Sequence, residues 1–226
     1  MFWLFDSSFL LLIPAMILAL YARNKVASTY SRYSQRPAAA GATGAQVARD
    51  LLDQAGLQGV AVESTDGRLA DHYDPRRRVL RLSRENYQRP SLAAVAIAAH
   101  EVGHAVQHAK AYAPLALRNS IVPVVNLTTT LAWPLFLFGF LANQPSLLDV
   151  AIWLFVGAVA FQVITLPVEF NASSRAIAML EQSQFLRGGE VNGAREMLNA
   201  AALTYVAATA MAVSQLLRMM VLRNRR

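Results

Sequence analysis

Ser91-Leu92-Ala93-Ala94-Val95-Ala96-Ile97-Ala98-Ala99-His100-Glu101-Val102-Gly103-His104-Ala105-Val106-Gln107-His108-Ala109-Lys110 joins a capping serine and a wholly apolar run to two histidines four residues apart. Ser91 is a helix N-cap residue, and no proline interrupts the segment before Lys110. The apolar run Ala93 to Ala99 predicts a helix buried on every side, from which the polar residues emerge. On such a helix, residues one and four positions along lie at about 100° and 40° from the first. His100 and His104 therefore share a face and can grip one ion, while Glu101 flanks that face and can reach a metal-held water. Of the chain's 4 histidines, three fall in this segment. A buried helix with hydrogen-bonded His and Glu is the structural alternative.

Two histidines leave a catalytic zinc site one protein ligand short. His108 lies about 12 Å along the axis from His100 on a straight helix, which makes it a flanking or substrate-side residue. Glu169 is the better candidate. It is the first carboxylate after two long apolar runs, and a two-span excursion returns the chain to the side it left. Glu181 and Glu190 are weaker alternatives, set further along beside ordinary polar surface.

Outward from this core, the composition is that of a chain facing lipid: 55% hydrophobic and 15% charged residues, against about 25% charged in a typical globular domain. Phe2 to Tyr21 predicts a membrane span, uncleaved because Arg23, Lys25, Arg32 and Arg36 follow the apolar run. Ile121 to Ala142 and Val150 to Val168 carry no charge and predict a hairpin of spans. The charge-poor tip, Asn143 to Asp149, should face away from the cytoplasm. Pro167 is expected at the first turn of a separate helix, Val168 to about Leu186. A last helix, Val191 to Leu222, contains an apolar stretch broken by Thr204, Thr209, Ser214 and Gln215. That stretch is expected not to cross alone, leaving Arg218, Arg223, Arg225 and Arg226 at the inner membrane surface.

Between the anchor and the histidines, Thr43 should cap a helix over Gly44 to Ala55. Val60 to Glu63 and Val79 to Ser83 read as strands of a small β-hairpin, with turns at Ser64-Thr65-Asp66-Gly67 and Asp74-Pro75. Val79 to Ser83 could pair with an extended substrate, or be purely structural.

The net charge of +7 sits beside the apolar runs with few interleaved aromatics, which points to topology and anionic lipid and not to nucleic acid. No cysteine is present, so any metal is held by His and carboxylate. No Gly-x-Ser-x-Gly elbow supports a serine nucleophile. The uncharged spans speak against an ion-conducting midplane site.

Asp71-His72-Tyr73-Asp74-Pro75 with Val79-Leu80-Arg81-Leu82-Ser83, Ala94 to His104, Pro167-Val168-Glu169-Phe170-Asn171-Ala172-Ser173, and Ala201-Ala202-Leu203-Thr204-Tyr205-Val206-Ala207 together resemble the YugP-like neutral zinc metallopeptidases of bacterial membranes. The resemblance covers nearly the whole chain. It implies a zinc peptidase with His100, His104 and Glu169 as ligands of one Zn2+ per chain and Glu101 as the catalytic residue. The related Glu-zincins often carry an Asp four residues after the ligand Glu; here that position is Ser173, with Asn171 nearby, so either could orient a ligand histidine. Tyr205 could donate to a tetrahedral oxyanion or simply pack.

The expected protein is mainly α, an integral membrane helical protein with a zincin-like helix core. Residues 1–22 form the anchor, 23–120 the peptidase region, 121–168 the hairpin of spans, and 169–226 the third-ligand and C-terminal helices. Its expected substrates are proteins or peptides at the bacterial inner membrane, with the site facing the cytoplasm. The rival is a catalytically silent, zinc-stabilised scaffold or adaptor, against which the retained Glu101 argues. Substrate preference and oligomeric state are not encoded legibly.

Overall fold

The computed structural model describes residues 7–183 and 185–225. Phe2 to Asp6 of the expected first span and Arg226 of the basic tail lie outside the described residues. The chain is mainly helical, with α1 (Ile13–Ser34), α2 (Gly44–Gln54), β1 (Ala61–Thr65), β2 (His72–Asp74), β3 (Val79–Ser83), α3 (Arg84–Gln88), α4 (Leu92–Ala109), α5 (Ala113–Leu141), α6 (Pro145–Ser183) and α7 (Glu190–Asn224). A 3-10 turn, Ser7–Leu12, leads into α1. Among the described residues, four helical stretches, Ser7–Ser34, α5, α6 and α7, are long and apolar enough to cross a membrane. The chain divides into two compact units.

One unit comprises Asn24–Leu115 and Val168–Ala202. Its centre is α4. Ser91 caps it by accepting a hydrogen bond from Ala94 N–H, and Leu92 to Ala99 are all buried. Alanine-rich sequence suits this place, because small side chains let neighbouring elements approach a central helix from several sides. Thr43 and Gln46 form a capping box at the start of α2, which lays Val47, Ala48, Leu51 and Leu52 into the same core as Val95, Ala98 and Val102. The basic stretch after the apolar part of α1 is helical and docked. Lys25 and Tyr33 both reach Glu196, at 3.0 and 2.7 Å, and Tyr30 donates to Asn86 Oδ1 at 3.2 Å.

The sheet corrects the expected hairpin. Its order is β1-β3-β2: β1 and β3 run parallel, with Ala61 opposite Val79, and the antiparallel partner of β3 is β2, with Tyr73 opposite Leu80. The Asp74-Pro75 turn thus closes a β2–β3 hairpin. Asp74 Oδ1 accepts from the backbone N–H groups of Arg76 and Arg77, which folds the chain back. With β3 paired on both sides, it has no free edge for a substrate. β2 is too short, and too polar on its flanks, to stand out as a strand from sequence.

The other unit comprises Ala116–Pro167 and Leu203–Arg226 together with the N-terminal segment to Arg23. Ala132 and Phe136 of α5, Leu148, Ala151 and Phe155 of α6, and Met219 and Leu222 of α7 form its core. Its outside is apolar: Trp153 is 74% exposed and Phe138 63%. Large hydrophobic side chains turned outward along uncharged helices are the surface of a protein solvated by lipid. At the hairpin bend, a Cβ on Gly139 would stand 2.9 Å from Leu147 Cβ, so glycine permits the tight return.

Two further expectations are corrected. Pro167 does not start a helix but lies inside α6. Its missing N–H and ring clash usually break a helix in water, yet long membrane helices accommodate internal proline. The C-terminal basic tail does not lie at the end of this unit opposite the hairpin tip. Arg223 forms two bonds to the Asp149 carboxylate, at 2.8 and 3.1 Å, and Arg225 donates to Ser7 Oγ at 2.8 Å. The end of α7 therefore meets the start of α6 and the residues leading into α1.

Candidate metal centre

Three side chains from α4 and α6 converge in the unit that holds both helix segments. Glu169 Oε2 lies 3.3 Å from His100 Nε2 and 3.5 Å from His104 Nε2. Two ligands of one tetrahedral zinc, each about 2.05 Å from the ion, stand about 3.3 Å apart. His100, His104 and Glu169 could hold one metal ion, their ligand atoms all lying within 4.8 Å of one another. The imidazoles meet edge to face with centroids 4.8 Å apart, as the one-turn spacing on α4 dictates. Glu169 is 2% exposed. A carboxylate sunk this far calls for a cation beside it.

Close helix approach makes this convergence possible. A Cβ on Gly103 would stand 2.6 Å from the backbone oxygen of Ala172. The glycine inside the His-Glu-Val-Gly-His run thus lets α6 lie against α4 directly beside the face that carries His100 and His104.

Hydrogen bonds orient both histidines. Gln107 Nε2 donates to the Val168 carbonyl at 2.8 Å and to Asn171 Oδ1 at 3.0 Å. A backbone carbonyl only accepts, so this end of the amide is the NH2, and Gln107 turns its Oε1 to His104 Nδ1 at 3.0 Å. His104 must then carry its proton on Nδ1, leaving the Nε2 lone pair for a metal. Ser173 Oγ lies 3.2 Å from His100 Nδ1 and can fix that ring in the same tautomer.

Gln107 has no place in the sequence reading of the site. Its signal is positional: it follows His104 by three residues, on the same helix face. Asn171 does not touch a histidine; it accepts from Gln107 and, at 2.7 Å, from Arg175 Nε. His108 binds Tyr73, the hydroxyl lying 2.9 Å from Nδ1. Glu181 pairs with Arg195 on the surface, and Glu190 accepts from the backbone N–H groups of Ala39 and Arg187. Tyr205 lies on α7 in the other compact unit.

Glu101 is buried, and burial pushes its carboxyl above the ordinary carboxylate range, although His100 and His104 pull the other way. Asp71, just before β2, accepts from Ser83 N–H at 2.8 Å and Asn86 Nδ2 at 2.9 Å. It ties the hairpin to the start of α3.

Fold and geometry together define a helical membrane protein in which two histidines and a carboxylate are grouped so that they could hold a metal ion. The chain belongs to the family described as "Putative neutral zinc metallopeptidase", whose profile matches residues 8–224. It is 50% identical over 208 residues, 92% of each chain, to the Bacillus subtilis (strain 168) protein described as "Putative membrane protease YugP". No solved structure gave a significant match.

Proposed function

We propose that this chain is a membrane-embedded endopeptidase that holds one zinc ion on His100, His104 and Glu169 and uses Glu101 as its general base. The observation that carries the proposal is the spacing of the two Nε2 atoms from Glu169 Oε2, 3.3 and 3.5 Å, which is that of ligands on one tetrahedral ion. When bound, zinc supplies Lewis-acid activation of a water and of the scissile carbonyl.

The residues of the chain do the rest. Glu101 accepts a proton from the attacking water at its carboxylate as the new C–O bond forms. It then delivers that proton to the amine nitrogen as the C–N bond breaks. An elevated carboxyl pKa suits this double use, since the group must both take and give a proton. Gln107 and Ser173 hold the imidazoles in the ligating tautomer. Tyr205 is a candidate donor to the oxyanion, and loss of turnover with unchanged zinc in Tyr205→Phe would establish that role.

Among the strands, β2 and β1 are the edges of the sheet, and β2 is tied to α4 through Tyr73 and His108. We place the extended peptide substrate along β2. We infer that the unit carrying these residues faces the cytoplasm at the bacterial inner membrane, a reading supported by the basic residues beside the spans. X-ray absorption at the zinc edge tests the ligand set. Two imidazole nitrogens and oxygen neighbours at about 2.0–2.2 Å are expected. One imidazole should be lost in His104→Ala, and a spectrum without imidazole scattering would refute the assignment.

A further inference from the structure

Residues of α2, α4 and α6 line an open cavity of about 620 Å³. Leu51, Val106 and Met179 give it apolar walls, and Lys110 and Arg175 bring two cations to it. Among the described residues, no Asp or Glu lines it. Lys110 makes no ion pair among the described residues, and Arg175 spends only its Nε, on the neutral Asn171. Two cations gathered without a carboxylate at an apolar cavity leave their charge for an anion that is itself part apolar.

Position narrows the choice. Arg175 follows Val168, the end of an uncharged run on α6, by seven residues. That is about 10 Å along a helix. The headgroup layer extends about 5–8 Å beyond the hydrocarbon core on each side, and an arginine side chain covers the remaining reach. We propose that this cavity binds one acidic phospholipid, its phosphodiester held by Arg175 and Lys110 and its glycerol and upper acyl carbons resting on Leu51, Val106 and Met179.

The site is wired to the metal centre. Arg175 Nε and Gln107 Nε2 share Asn171 Oδ1, at 2.7 and 3.0 Å, and Gln107 Oε1 meets His104 Nδ1 at 3.0 Å. An anion drawing Arg175 away frees Asn171 to accept more strongly from Gln107. The polarised amide then accepts more strongly from His104, whose Nε2 becomes a better donor to a metal. Lipid binding itself does not depend on the peptidase reading; only this linkage rests on His104 being a zinc ligand.

The test uses the purified full chain in nanodiscs of phosphatidylcholine doped with phosphatidylglycerol, with retained lipid counted by native mass spectrometry. The wild type should keep one phosphatidylglycerol per chain. Lys110→Gln and Arg175→Gln should each weaken its retention, and together by about tenfold or more, given two charge-assisted contacts. Arg195→Gln, an exposed arginine outside the cavity, should leave it unchanged. Retention unaltered in the double variant overturns the site, and full displacement by inorganic phosphate overturns its assignment to lipid. Lys110 has no ion-pair partner among the described residues, so that single variant reads binding even if Arg175→Gln disturbs the fold. Zinc release to a chelator should be slower in phosphatidylglycerol than in phosphatidylcholine for the wild type and equal in Asn171→Ala. Equal rates in the wild type overturn the linkage. Because retention is read without zinc or peptide, its failure is separable from failure of the peptidase proposal.

Discussion

Gln107 turns its carbonyl oxygen to His104 Nδ1, 3.0 Å away, because its amide nitrogen is committed to the Val168 carbonyl and Asn171. One side chain on α4 thereby selects the tautomer of a candidate ligand and bonds to the helix that carries Glu169.

Removing it should be felt in zinc affinity. Gln107→Leu keeps the approximate volume but frees the His104 ring and removes the bonds to the Val168 carbonyl and Asn171. Zinc affinity, measured by competition with a chelator, should fall about 10- to 100-fold, the usual cost of losing such a partner. Ser173→Ala should cost less, its contact with His100 being longer at 3.2 Å. Unchanged affinity in Gln107→Leu would remove the tautomer argument.

Gly103 makes a steric prediction. In Gly103→Ala the added methyl meets Ala172 O at 2.6 Å, and α6 must move away from α4. Overpacking of this kind costs about 1–3 kcal/mol. The variant should unfold at lower temperature and lose zinc, because Glu169 travels with α6. Thermal unfolding and metal analysis of one preparation check both parts.

Glu169→Gln keeps the shape of the side chain and removes its charge. Bound zinc should drop at least about tenfold, as expected when a ligand is lost outright. Full zinc retention would take Glu169 out of the centre.

The pairing of Arg223 with Asp149 predicts a shared side for the hairpin tip and the C-terminal tail. The native chain has no cysteine, so single cysteines report cleanly. Cysteines at Gln144 and Asn224 should both react with an impermeant thiol reagent in whole cells, and one at Asp66 should not. Labelling of Gln144 without Asn224 would contradict the pairing, and labelling of Asp66 the cytoplasmic placement.

Much of this architecture is written locally. The His100–His104 spacing, the apolar run before it and the caps at Thr43 and Ser91 are consequences of helix geometry a few residues long. The return of Glu169 to the histidines follows from counting two uncharged runs. What escaped is nonlocal or depends on the solvent. The parallel pairing of β1 with β3 joins segments separated by β2, and no short pattern announces it. Pro167 stops a helix by the rules of water, and α6 continues through it. Thr209 reads as an interruption of the last apolar stretch, yet its hydroxyl donates to the Tyr205 carbonyl at 2.9 Å, so it is satisfied within α7. The charge of the tail argued for the other end of the unit, but Asp149 offsets Arg223 there. Gln107 was visible as a residue; its role needs the Val168 carbonyl, which only the packed helices supply.

The central claim is that Glu101 moves protons at a zinc centre built by its neighbours. The most direct measurement is hydrolysis of an unfolded protein substrate, with zinc content determined on the same samples, for the wild type and Glu101→Gln. Both proteins should hold about one zinc per chain, and the variant should be slower by several orders of magnitude, since the base and the proton donor are lost together. Undiminished cleavage by Glu101→Gln, or a wild type that cleaves without bound zinc, would contradict the account.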